Sequence, residues 1–87
     1  MPQFDQEKLK VYQAAIQFVT WSTELLARIP AKVVVKDQLD RASTSVPLNI
    51  AEGNGKFAIR DRGRFLDFAR GSALECAACL DVIVAKK

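Results

Sequence analysis

A proline lies inside a helical pattern in the middle of this chain, in the run from Arg41 to Gly53. Pro47 has no backbone N–H and crowds the carbonyl of Ser43, so we expect the helix to bend or loosen there. Gly53 is expected to end the helix, since glycine adopts the left-handed C-cap conformation without steric cost. One buried helix face is predicted by apolar residues at spacings of three and four: Leu39, Ala42, Val46 and Ile50.

The length and composition fit a single small helical domain, residues 1–87. Hydrophobic residues make up 49% of the 87 residues and charged residues 26%, with three prolines and four glycines, which excludes disordered, acidic and collagen-like chains. A core this small is marginal alone, so we expect a homo-oligomer. The net charge of +3 allows an anionic partner only if the positive charges are clustered.

Apolar periodicity predicts three helices, over about residues 5–29, 33–52 and 59–87. Pro30 ends the first helix, and the short connection after it makes the next helix an antiparallel neighbour. The turn Gly53-Asn54-Gly55 separates the second helix from the third. The predicted fold is an all-α, up-and-down antiparallel helical bundle.

The third helix carries two parallel apolar rows, which together are too wide for one neighbouring helix. We therefore expect it to be central and to contact both other helices. The rows are Phe65, Phe68, Ser72, Cys76, Cys79 and Ile83, and Leu66, Ala69, Ala73, Ala77, Leu80 and Val84. Because the helix is still apolar near Lys87, either a longer natural chain or another subunit is expected to cover it, and we favour the longer chain.

Two polar pairs lie on these helices. Glu75 interrupts the apolar surface, and a carboxylate there needs a cation, so we predict a pair with Arg41, with Lys36 as the alternative. Asn49 and Glu52 lie three residues apart near the end of the second helix, where a carboxylate is electrostatically misplaced. The predicted compensating cation for Glu52 is Arg60 or Arg62 across the turn.

A cluster of basic residues surrounds the start of the third helix and is the candidate nucleic-acid-binding surface. Its members are Lys56, Arg60, Arg62, Arg64 and Arg70. The alternative is a solvated helix end whose arginines pair with Asp61, Asp67 or Glu52. With no clearly exposed aromatic residue beside the cluster, recognition is expected to involve backbone or shape rather than base sequence.

Nothing in the sequence assembles a catalytic centre, a metal site or a cofactor site. There is no histidine, and the two cysteines, Cys76 and Cys79, cannot complete a four-ligand zinc site. Their position within a helical pattern predicts two small buried hydrophobic side chains. We expect no enzymatic activity. Without a leader or a spanning segment, the expected location is the cytoplasm.

The run RASTSVPLNIAEG, with Arg64-Phe65-Leu66, Ala69, Gly71-Ser72 and Glu75, resembles the proteins encoded in intervening sequences of bacterial 23S ribosomal RNA genes. The accessory variability proteins of diversity-generating retroelements look like relatives. The resemblance implies a four-helix bundle, here lacking its fourth helix, assembled as a homopentamer without enzymatic activity. It also implies that some relatives bind nucleic acid and a reverse transcriptase through the basic outside of the ring.

Two functions remain open from the sequence. The first is an oligomeric accessory protein that binds RNA or DNA. The second is a protein-interaction scaffold whose basic cluster meets an acidic protein surface.

Overall fold

The chain folds into three helices, as the sequence predicts. A computed structural model describes the backbone of residues 3–86 and the side chains of residues 8–86. The helices are α1 (Gln3–Arg28), α2 (Val35–Asn54) and α3 (Ile59–Lys86), and no strand occurs in this part of the chain. The all-α prediction is therefore confirmed. The end predicted for the third helix, at Lys87, lies outside the described residues.

Two layers of core contacts run through all three helices and give their relative directions. One layer joins Leu26 and Ile29 of α1 to Leu39 and Ala42 of α2 and to the two cysteines of α3. The other joins Ala15 of α1 to Val46 and Ile50 of α2 and to Ala69 of α3. Moving from the first layer to the second decreases residue number in α1 and α3 but increases it in α2. Neighbouring helices are therefore antiparallel.

The central helix is α2, and the expectation that α3 would be central is wrong. Helix α2 packs against both others, whereas no Cα of α1 lies within 8 Å of a Cα of α3 among the described residues. The second apolar row of α3 was the basis of the wrong prediction. In the structure, Leu66, Ala73, Ala77 and Leu80 of this row line the space left between α1 and α3, whereas Ala69 packs against Val46 and Ile50 of α2.

That space is an apolar groove with α2 as its floor. Residues of all three helices line it: Val11, Ala14, Ala15 and Phe18 from α1, Val46 and Ile50 from α2, and Ala73, Cys76, Ala77 and Leu80 from α3. Towards the α2–α3 turn it widens into a cavity of about 490 Å³, whose lining includes Lys8, Asn54, Ile59, Arg62 and Leu66. This groove is open to solvent. The apolar end of α3, which the sequence predicted to need a cover, is partly covered, since Leu80 and Ile83 pack against the core while Val84 is exposed.

Pro47 is buried inside α2, which runs as one helix past it. The hydroxyl groups of Ser43 and Thr44 donate to the carbonyl oxygen of Asp40, at 3.0 and 2.9 Å, rather than to the carbonyl of Ser43 that faces the proline. Ser43 is thereby satisfied although it is almost completely buried.

Gly53 does not end the helix in a left-handed conformation, so that prediction is wrong. Helix α2 continues to Asn54, and the capping residue Gly55 is right-handed, with φ −85° and ψ −4°. Its N–H donates to the carbonyls of Ala51 and Glu52, both at 3.2 Å. Gly53 is instead buried against α3, where an added Cβ would lie 3.2 Å from the Arg62 carbonyl oxygen and from Phe65 Cβ. Close helix approach explains this glycine.

The connection between α1 and α2 is longer than predicted, because α2 begins at Val35 rather than Val33. Turn hydrogen bonds occupy the intervening residues, with the N–H of Val33 donating to the Pro30 carbonyl at 3.0 Å. Lys36 closes the end of α1, since its Nζ donates to the Ile29 carbonyl at 3.0 Å. This bond satisfies a carbonyl that has no partner within the helix.

Candidate nucleic-acid interface

Four of the five basic residues predicted to bind nucleic acid lie at one end of the bundle, where α2 ends and α3 begins. Lys56 lies in the turn, and Arg60, Arg62 and Arg64 lie in the first two turns of α3. Arg70 lies six residues beyond Arg64, which rotates it by roughly 120° around the helix and moves it farther along the axis. The structure therefore does not group Arg70 with the others.

The ring of Phe65 holds two of these cations. Lys56 Nζ lies 5.2 Å from the ring centroid, and Arg64 Cζ lies 5.4 Å from it. Both distances are within the range of a cation–π attraction. Phe65 Cβ lies close to the backbone of Gly53, and the Phe65 ring makes an edge-to-face contact with Phe68, at 5.7 Å between centroids. A partly buried aromatic residue thus positions two positive charges on the same end surface.

The neighbouring carboxylates pair with the cluster only weakly. Glu52 Oε2 lies 3.1 Å from Lys56 Nζ, one helical turn away, and both side chains are more than one third exposed. Asp61 Oδ1 lies 3.9 Å from Arg64 Nη2, and both are more than 40% exposed. Exposed pairs of this kind contribute about 0 to 1 kcal/mol. They leave both cations accessible to an anion that offers more charge.

Lys56 supplies the ion pair of Glu52, which the sequence assigned to Arg60 or Arg62. Lys56 lies four residues after Glu52, so the continuation of α2 to Asn54 brings the ammonium group alongside the carboxylate. Arg62 instead lines the apolar cavity beside Lys8 and Asn54. Arg60 is exposed, with no ion pair or hydrogen bond to another residue in the range 8–86.

Arg41 and Glu75 do not form the predicted pair. Both side chains are exposed, and within residues 8–86 no ion pair or hydrogen bond joins them. The alternative partner, Lys36, bonds the Ile29 carbonyl instead. The prediction rested on a buried carboxylate, but the face of α3 that carries Glu75 is solvated because α2 covers an adjacent face.

Asn49 belongs to a polar network between α2 and α3 rather than to a site with Glu52. Its Nδ2 donates to the carbonyl oxygen of Ser45 at 2.9 Å and to Ser45 Oγ at 2.8 Å. The hydroxyl of Ser72 donates to the same Ser45 Oγ at 2.9 Å. Of these bonds, the one from Ser72 to Ser45 crosses from α3 to α2 at half-buried positions, so the network links the two helices.

Phe57 is a feature of this surface that the sequence prediction missed. It lies in the turn between Lys56 and Arg60 and is fully exposed, at 101% of its reference area. The expectation of no clearly exposed aromatic residue beside the basic cluster is therefore wrong. The available signal was its position outside both apolar rows of α3, between Gly55 and the first residue of that helix.

The two cysteines are buried, as predicted, in the core layer shared by all three helices. Burial raises the pKa of the Cys76 thiol above its ordinary value, and the nearby Cys79 and Glu75 add to the shift. Burial and Glu75 likewise raise the pKa of Cys79. Within the described residues no group of three or more potential ligands is placed to hold a metal ion.

Comparison with known proteins adds a family assignment to this geometry. None of the described helices offers a stretch long and apolar enough to cross a bilayer. No curated protein and no solved structure matches the chain. The model of the 23S rRNA-intervening sequence protein family matches residues 7–87, which include all three helices but for the first turn of α1. The chain therefore belongs to the 23S rRNA-intervening sequence protein family.

Proposed function

We propose that this protein is a non-enzymatic, oligomeric accessory protein of the cytoplasm that binds RNA or DNA through the sugar-phosphate backbone. The observation that carries the proposal is the placement of Lys56 and Arg64 on the Phe65 ring, next to the exposed Arg60. Three cations at one end of the bundle form a positively charged surface that can attract phosphates.

The surrounding charges support this proposal. Each of the two carboxylates nearest the cluster already engages one cation in an exposed pair, which a phosphate can displace at little cost. Membership of the 23S rRNA-intervening sequence protein family is compatible with a nucleic-acid-related role. Arg62 and Arg70 are predicted to contribute less, because one lines the cavity and the other lies farther along α3.

Self-association is part of the proposal, with five copies as the expected number from the family resemblance. Support comes from the apolar groove and from large apolar side chains that one copy leaves exposed, among them Trp21, Leu48 and Leu74. A ring would repeat the basic end, and repetition strengthens binding to a long polyanion without any new contact. Light scattering coupled to size-exclusion chromatography measures the number of copies directly.

The same groove favours the second candidate function, a protein-interaction scaffold. An open apolar groove between two helices is a common docking site for an amphipathic helix. In this case the basic end would meet an acidic protein surface and would have no role in nucleic-acid binding.

A titration separates the two functions. Fluorescently labelled structured RNA and duplex DNA are titrated with the protein at about 50 and 200 mM salt, the range over which phosphate contacts lose much of their affinity. We expect binding at low salt that weakens steeply at high salt, and we expect Arg60→Glu with Arg64→Glu to abolish it.

The matched control carries the same charge change elsewhere. Lys32 and Arg41 are exposed residues outside the basic end, so Lys32→Glu with Arg41→Glu changes the net charge equally. Retained binding in the control assigns the effect to the basic end rather than to overall charge. No binding by the wild-type protein at low salt would remove the nucleic-acid proposal.

A further inference from the structure

The turn between α2 and α3 presents one aromatic ring to solvent. Phe57 is fully exposed, and within residues 8–86 no aromatic or cation–π contact involves its ring. The adjacent Ile59 is also largely exposed, at 78%. A fully solvated phenylalanine is unfavourable in an isolated protein, because aromatic rings gain most from burial.

Hydrogen bonds on both sides hold this turn in place. The N–H of Lys56 donates to the Gly53 carbonyl at 3.1 Å, which continues the end of α2. The N–H of Arg62 donates to the Ala58 carbonyl at 3.0 Å, which fixes the start of α3. The ring is therefore carried between two helix ends rather than on a long loop.

The charges on either side of the ring are those of the proposed phosphate-binding surface. Lys56 precedes Phe57 and rests on the Phe65 ring together with Arg64. Arg60 follows three residues later and is exposed. An exposed ring beside cations that track a phosphate backbone is the combination by which proteins hold single-stranded nucleic acid. Bases within a perfect duplex already stack on one another and offer no free face to such a ring.

We propose that Phe57 stacks on an unpaired base, so that the ligand is a single strand or a loop rather than an uninterrupted duplex. This inference rests on the proposed nucleic-acid binding and specifies its substrate class. The cations bind the phosphates on either side of the stacked nucleotide. Because every base has an aromatic face, the ring adds affinity without reading sequence.

The test uses the whole chain and three labelled probes: a 12-nucleotide oligouridylate, an RNA hairpin with a uridine loop, and a blunt duplex of the hairpin stem. Binding is measured by fluorescence anisotropy at about 50 mM salt, where phosphate contacts are strong. Wild-type protein is expected to prefer the single strand and the loop. Phe57→Ala should weaken binding to these two probes by roughly 5- to 150-fold, the range for loss of one stacked base, with little effect on the duplex.

Two further substitutions separate a stacked ring from a merely apolar side chain. Phe57→Tyr keeps an aromatic face and should bind as the wild type does, whereas Phe57→Leu keeps apolar area without the ring and should resemble Phe57→Ala. Thermal unfolding should be unchanged in all three variants, because the wild-type side chain has no buried contacts.

The outcomes distinguish this inference from the proposed function. If Phe57→Ala binds all three probes as the wild type does while Arg60→Glu with Arg64→Glu abolishes binding, the stacking role is wrong and the backbone-binding function stands. If Phe57→Ala lowers the mass of the particle without changing affinity per subunit, Phe57 is a subunit contact and the inference is overturned. If the wild-type protein binds no probe, both proposals fail.

Discussion

Gly53 of α2 lies directly against Phe65 of α3 at the basic end of the molecule. A methyl group on Gly53 would lie 3.2 Å from Phe65 Cβ and 3.2 Å from the carbonyl oxygen of Arg62. The glycine therefore lets α3 pack close enough for the Phe65 ring to sit beneath Lys56 and Arg64. A residue in the core of the helix pair thus helps to place the charges on the surface.

Replacing this glycine should destabilise the protein even though alanine is the better helix former. Gly53→Ala gains about 0.5 to 1 kcal/mol of helix propensity but forces α3 outwards, and overpacking costs about 1 to 3 kcal/mol. We expect a net loss of roughly 1 kcal/mol in the free energy of unfolding, measured by urea denaturation, since the overpacking term is the larger.

The matched control is Gly71→Ala, in the middle of α3. An added Cβ there meets no atom within 4 Å, so only the propensity gain remains. This variant should be stabilised by about 0.5 to 1 kcal/mol. Equal stabilisation of both variants would contradict the close-approach explanation of Gly53.

Leu39 should be among the most sensitive positions in the core. Its side chain is 0% exposed and lies in the layer shared by all three helices, so Leu39→Ala should cost about 2 to 5 kcal/mol. Leu48, on the same helix, is 64% exposed, and Leu48→Ala should change stability by less than about 0.5 kcal/mol. Thermal unfolding followed by circular dichroism checks both values. A similar loss in the two variants would show that Leu48 is covered in the assembled protein.

Arg41 and Glu75 should prove independent of each other. Because both are exposed and unpaired with one another, each alanine substitution should change stability by less than about 0.5 kcal/mol. Their double-mutant coupling should lie within about 0.5 kcal/mol of zero. The positive control is Ser45 with Ser72, whose hydroxyl groups are 2.9 Å apart and should couple by about 0.5 to 1.5 kcal/mol. Strong coupling between Arg41 and Glu75 would contradict this prediction and would indicate that the two side chains form an ion pair in solution.

Stability should fall in alkaline solution partly because of the buried thiols. The pKa values of Cys76 and Cys79 are raised above 9.0 in the folded protein, mainly by burial, so the unfolded chain releases these protons first. The contribution of the thiols to the free energy of unfolding is fully present below the ordinary thiol pKa. It is lost as the pH rises through the pKa values of the folded state. The free energy of unfolding should therefore fall more steeply in the wild type than in Cys76→Ala with Cys79→Ala as the pH rises through and above the ordinary thiol pKa. Equal slopes would show that the thiols ionise alike in both states.

The sequence predicted the helices well because local apolar periodicity and helix-breaking residues such as Pro30 determine where each helix lies. It misplaced the centre of the bundle because the two apolar rows of α3 state how much surface is apolar, not which neighbour covers it. The sequence predicts a left-handed cap at Gly53, but glycine also occurs where two helices approach closely. Only the position of Phe65 beside Gly53 distinguishes these two roles. The exposure of Phe57 could not be predicted, because the exposure of a turn residue depends on how the two flanking helices pack.

The central position of α2 means that the two notable surfaces of this protein are built on different helix pairs. Lys56, Phe57, Arg60 and Arg64 belong to the α2–α3 hairpin, whereas one wall of the apolar groove belongs to α1. Since α1 packs chiefly on α2, we expect it to open as a unit before the α2–α3 hairpin does. Amide protons of α1 should accordingly exchange with solvent before those of the α2–α3 pair. A ligand bound in the groove would slow this opening without contacting the basic end.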